Sequence, residues 1–116
     1  MPDITALELA KACGRAAQET KSENICIYDL RDFSSLTDYA VVCTALSVPH
    51  IRSVVKDIDH LVDEATGVSS VYQENKAASL WAVLDYIDVM VHIMGADARE
   101  FYSLDTLWEK APKIEI

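Results

Sequence analysis

Asp38-Tyr39-Ala40-Val41-Val42-Cys43-Thr44 is an almost unbroken apolar run of strand length. A strand with one wet face alternates polar and apolar residues, so a run without alternation reads as a strand buried on both faces. Ser47 follows in the position of a helix cap, and Pro49 falls in the first helical turn, where its missing N–H does no harm. Ile51, Val54, Val55, Ile58, Leu61, Val62 and Ala65 then recur at steps of three and four. That spacing specifies a helix with one face on a core, and Gly67 is positioned to stop it. A strand–helix–strand unit of this kind implies one right-handed parallel crossover.

The flanking segments fit the same sheet. Thr5-Ala6-Leu7-Glu8 has the form of a capping box, and Leu9, Cys13, Ala16, Ala17 and Thr20 continue at helical spacing to about Lys21. A short β-leaning strand is predicted over 24–30, then a polar loop over 31–36. Beyond the second helix, strands are predicted over 68–74 and 80–86, joined by Asn75-Lys76-Ala77-Ala78. A further strand over 88–94 follows a tight corner at Tyr86-Ile87. Gly95-Ala96-Asp97 leads into a short helix over 98–102, Ser103 caps a last turn carrying Leu104, Leu107 and Trp108, and Pro112 ends it. The order α-β-β-α-β-β-β-α-α predicts an α/β fold, a mixed β-sheet with helices packed on it. With 116 residues and no linker or repeat, residues 1–116 are expected to form a single domain.

Nineteen acidic residues against ten Lys and Arg give a formal net charge of −9. Such a surface repels phosphate, which disfavours direct readout of nucleic acid and favours a basic protein partner; the same charge also serves solubility. Cys13, Cys26 and Cys43 are odd in number, form no CxxC and match no zinc spacing. They read as small core hydrophobes in a reducing compartment. No apolar run approaches the roughly 18 residues of a membrane span, and no signal core is visible. A cytoplasmic protein without membrane association is expected.

The chemistry-bearing residues are few. There is no Gly-rich phosphate loop, HExxH or GxSxG, and three glycines leave little room for a phosphate cradle. Asp85 and Asp88 flank the corner; two carboxylates are too few for a hard cation, and we read them as turn caps that face solvent or a partner. His92 alternates with apolar residues and has no second His or Cys at ligand spacing, so it reads as a hydrogen-bonded histidine at the core edge. His50 and His60 are placed on the surface of the second helix. Trp108, beside Leu104 and Leu107, is expected in the core. Trp81 lies between polar Ser79 and the Asp85-Tyr86 corner, a rim where an aromatic and acids are presented together. No catalytic residue, metal or cofactor is expected.

The stretch Trp81-Ala82-Val83-Leu84-Asp85-Tyr86-Ile87-Asp88-Val89-Met90-Val91-His92 resembles the signature of the ribosomal silencing factor family, also called Iojap-related proteins. Asp29-Leu30-Arg31, Thr37-Asp38-Tyr39, Ser47 with His50, and Arg99-Phe101-Tyr102 with Leu104, Leu107 and Trp108 resemble further motifs in the same order, over about residues 5–112. The chain departs from the family pattern at Ala45 and Ile87, which replace glycines, and at Pro49, which replaces an arginine. An Ile that needs a positive φ would be strained.

The resemblance implies a nucleotidyltransferase-like fold without that fold's catalytic residues. It implies binding to ribosomal protein number fourteen of the large subunit, a block on small-subunit joining, and repression of translation. It also implies homodimers. On that basis Trp81, Leu84, Asp85, Tyr86 and Asp88 are assigned to a partner-facing patch, with Arg99 and Tyr102 beside it. The rival readings are an assembly factor of the large subunit and a nucleotidyltransferase with a metal on Asp85 and Asp88.

Overall fold

The computed structural model describes residues 4–76 and 80–116. The elements are α1 (Ala6–Glu19), β1 (Glu23–Asp29), β2 (Tyr39–Thr44), α2 (Val48–Thr66), β3 (Tyr72–Lys76), β4 (Trp81–Asp85), β5 (Val89–Met94), α3 (Ala96–Tyr102), α4 (Leu104–Leu107) and β6 (Lys113–Ile114). The strands form one mixed sheet in the order β3-β4-β5-β2-β1-β6. Among the described residues only β2 and β5 pair in parallel, and the other four pairings are antiparallel.

All six residues of β2 are buried, as its unbroken apolar run requires. The parallel neighbour of β2 is β5 rather than β3, so the crossover carries α2 and the β3–β4 hairpin together. β3 starts four residues later than expected, because pairing of Tyr72 with Asp85 sets its first rung. The predicted link 75–78 is displaced with it: Asn75 and Lys76 belong to the strand, and Ala77 and Ala78 lie outside the described residues. β6 was not expected; it adds two rungs to β1.

Side-chain parity sorts the sheet into two faces. Ile27, Val41, Cys43, Leu84, Val91 and Ile93 face α1 and α2, which contribute Leu9, Cys13, Ala17, Ile51, Val54, Ile58 and Val62 to one core. Ala65 is exposed. Tyr28, Ala40, Val42 and Met94 face the other way, under α3 and α4, against Ala98, Leu104, Trp108 and Ala111.

The helix ends are satisfied locally. Thr5 Oγ1 accepts from the Glu8 amide at 3.1 Å and Ser47 Oγ from the His50 amide at 3.2 Å, and Gly67 closes α2 at φ 77°. Ser103 departs from its expected capping role. It adopts φ 54° with no side-chain cap bond, and its hydroxyl donates to the Glu100 carbonyl at 2.7 Å instead. His50 is half-buried rather than on the surface. Its Nδ1 accepts from the Leu46 amide at 2.9 Å, so Nε2 carries the proton and donates to the Thr20 carbonyl at 3.0 Å. The ring thereby ties the start of α2 to the end of α1.

Ile58 is fully buried at the centre of the α2 face. Ile58→Ala is expected to lower the unfolding free energy by about 2–5 kcal/mol, read from urea denaturation.

Candidate functional site

The second face of the sheet is covered only in part. α3 and α4 are short and are held down by one arginine. Arg99 donates from Nε to Asp105 Oδ2 at 2.8 Å and from a terminal nitrogen to Asp105 Oδ1 at 3.0 Å. Its other terminal nitrogen donates to Thr44 Oγ1 at 2.9 Å and to the Asn24 carbonyl. Tyr28 Oη donates to the same Asp105 carboxylate. These bonds, the Arg99 pair foremost, hold the Asp105 carboxyl below the usual carboxylate range. Burial and the bond to Asp105 push the Tyr28 phenol up. Arg99 is therefore a clamp between α3, α4 and the sheet, with its donors already committed.

Beyond the clamp runs a chain of rings. Trp108 packs on Tyr28 with centroids 5.7 Å apart and on His92 at 5.9 Å. Trp81 packs on His92 at 5.9 Å and on Tyr102 at 4.5 Å, and Phe101 meets Tyr102 edge-on at 5.1 Å. Trp81 Nε1 donates to His92 Nδ1 at 3.1 Å, which leaves the His92 proton on Nε2. His92 is thus the buried, bonded ring the sequence suggested. Burial lowers its pKa from 6.5 to about 4. Trp81 is half-buried at the rim and Tyr102 is exposed.

Leu84 and Tyr86, assigned by sequence to the partner-facing patch, do not reach it. Leu84 is fully buried on the helix face, because β4 alternates and Leu84 has the opposite parity to Trp81 and Asp85. Tyr86 is 4% exposed, and its Oη donates to Asp59 Oδ1 of α2 at 2.9 Å. Asp59 also takes the Ser70 amide and Gln73 Nε2. Tyr86 therefore anchors the corner from below. Burial is the main cause that pushes its phenol up.

The corner itself is tight. The Tyr86 amide donates to the Val89 carbonyl at 2.8 Å and the Asp88 amide to the Tyr86 carbonyl at 3.0 Å. Asp85 Oδ1 accepts from the Ile87 amide at 2.7 Å, the turn-capping role expected for it. Ile87 sits at φ 75°. Among the described residues it is the only β-branched side chain at positive φ, a conformation that costs roughly 1–3 kcal/mol. Asp88 is exposed, and no ion pair among the described residues involves Asp85 or Asp88. Among the described residues no three of His, Cys, Asp or Glu converge as metal ligands.

Cys13 and Cys43 are buried, and burial foremost pushes their thiols up to about 12 and 11. Cys26 is half-buried, 3.6 Å from an Arg99 nitrogen.

The chain as a whole is similar to known proteins. The family model described as "Ribosomal silencing factor during starvation" matches residues 3–116. The chain belongs to this family. A ribosomal silencing factor from Haemophilus influenzae is 36% identical over 90 residues, covering 76% of this chain and 85% of that protein. One from Bacillus subtilis is 27% identical, covering 93% of this chain and 91% of the relative. A crystal structure of a Chromobacterium violaceum protein superposes with a TM-score of 0.84 at 26% identity, covering 91% of this chain and 88% of that one. A Bacillus halodurans structure gives 0.78 at 24% identity, over 95% and 99%, and shares the fold. No helix among the described residues is long and apolar enough to cross a membrane.

The buried His92 predicts a pH dependence. Its folded pKa lies below its unfolded one, so the unfolded chain binds the extra proton. The stability linked to His92 is complete above pH 6.5 and falls as the pH drops toward about 4, by about 3 kcal/mol in all. Denaturant titrations across that range should show this loss, and His92→Asn should remove most of it.

Proposed function

We propose that this chain is a translational repressor that acts by occupying a surface, without catalysis. It binds ribosomal protein number fourteen of the large ribosomal subunit and stands in the way of the small one. The observation that carries this reading is membership of the ribosomal silencing factor family over nearly the whole chain. The surface chemistry supports it. Trp81 and Tyr102 offer a packed aromatic edge, half in the core and half in solvent. Such rings bind at low entropic cost because packing already fixes them. Asp85 and Asp88 stand at the β4–β5 corner, the other end of β4 from Trp81, suited to Lys and Arg of a basic protein, and the net charge of −9 attracts such a partner from a distance.

Roles within the assigned residues then differ. Trp81, Tyr102, Asp85 and Asp88 make the contact. Leu84 and Tyr86 support it from beneath, and Arg99 fixes α3, the helix that carries Tyr102.

Co-sedimentation with separated ribosomal subunits on sucrose gradients tests the reading. The protein is expected to travel with the large subunit only and to reduce its joining to the small one. Replacing both Asp85 and Asp88 by Arg should return it to the top of the gradient, with circular dichroism confirming an intact fold. A double variant that still travels with the large subunit would overturn the residue assignment. A wild-type protein that binds neither subunit would overturn the function.

A further inference from the structure

At the end of the sheet where β3 and β5 begin and β4 ends, the chain exposes large apolar side chains. Ile87 is 62% exposed at the β4–β5 corner, Val71 and Tyr72 are 64% and 58% exposed at the start of β3, and Leu36 is 83% exposed in the β1–β2 loop. Three backbone bonds stitch these segments together. The Val71 amide donates to the Asp85 carbonyl at 2.8 Å, and the Asp38 and Tyr39 amides donate to the Asp88 carbonyl at 2.9 and 3.1 Å. The segments that carry these side chains therefore share one end of the sheet, with the Ile87 corner bonded on either side to the other two.

Ile87 is anomalous on two independent counts. It contributes little to the core, and its backbone conformation is one that a β-branched residue adopts only under strain. The corner bonds hold its φ, but packing within the chain does not account for the exposed apolar side chain kept there at a cost. A contact outside the chain accounts for it, because the apolar surface it presents is then covered. The occupant follows from the charge. Asp38, Asp85 and Asp88 flank Ile87 and make no ion pair among the described residues. A basic protein surface that presents an apolar pocket ringed by Lys or Arg fits this end of the sheet.

We infer that Ile87 is a specificity-determining contact, inserted into an apolar pocket on the basic ribosomal protein. This rests on the function proposed above and adds an anchor outside the aromatic edge.

The test exploits opposite signs. Ile87→Gly relieves the strain, and should raise the midpoint of thermal unfolding by about 4 °C. The same change deletes the contact, and should weaken binding to purified large subunits roughly tenfold in a sedimentation titration. Ile87→Asn, which suits positive φ while staying polar, should behave likewise. Ile87→Leu relieves the branching, keeps the apolar surface, and should bind within about threefold of wild type. A glycine variant that is more stable yet binds like wild type would sink the inference while leaving the function standing. Equal losses in the Gly, Asn and Leu variants would point to corner geometry rather than contact, and would also sink it. Wild-type protein that fails to bind the large subunit would remove both.

Discussion

The parallel pairing of β2 with β5 is the constraint on which the rest of the structure depends. The register runs from Tyr39 opposite Val89 to Thr44 opposite Met94. Both strands are central, so each residue must be acceptable to one of two buried faces. A slip of one residue would drive His92 and Met90 under α2 and turn Val91 and Ile93 to the opposite face. A parallel pair also cannot close with a tight turn. The chain between β2 and β5 therefore has to travel, and it does so by laying α2 over one face and adding the β3–β4 hairpin to the sheet. The corner and the aromatic edge exist because of that detour.

The two faces end up unequally covered. α1 and α2 are long and amphipathic, and they fill their side. α3 and α4 have seven and four residues, too short to hold together by helix propensity alone. Their adhesion comes from Arg99, whose guanidinium bridges Asp105 to Thr44 and Asn24, and from the tilted ring contacts that run through Tyr28, Trp108, His92, Trp81 and Tyr102. Where this cover runs out, side chains must tolerate being half dry and half wet. Indole and phenol rings do so because each pairs an apolar body with a polar handle. Trp81 uses its handle inward, on His92, which leaves its outer edge apolar.

Periodicity encodes burial well, with Ala65 at the end of α2 the exception. The run 38–44 and the apolar steps of α2 encode their surroundings directly, and both elements form within a residue or a few of the expected bounds. Errors arose where position depends on distant partners. The resemblance puts Leu84 in one patch with Asp85, although strand alternation puts neighbours on opposite faces. Tyr86 follows the last residue of β4, and the bond that buries it comes from Asp59, 27 residues away. The resemblance sets Arg99 beside the patch, and its internal role stays hidden in the sequence because its acceptors Thr44 and Asn24 are 55 and 75 residues distant. Nothing in Lys113-Ile114 marks a strand; those residues pair only because the chain end returns beside β1.

The acids divide by the same logic. Asp29, Asp59 and Asp105 are committed within the chain: to Arg31, to Tyr86 and Gln73, and to Arg99. They set the fold and contribute little to recognition at short range. Asp38, Asp85 and Asp88 lie at the sheet end without ion-pair partners among the described residues. Exposed charges act over about 8 Å at physiological salt, so they speed encounter more than they prolong it. On the proposed reading, dwell time has to come from apolar contact, which Ile87 offers at this end together with Val71, Tyr72 and Leu36. A conformation that costs the isolated chain stability can persist only if the surrounding bonds enforce it. Here the Tyr86 anchor, the Asp85 cap and the two amides of the β1–β2 loop enforce it together.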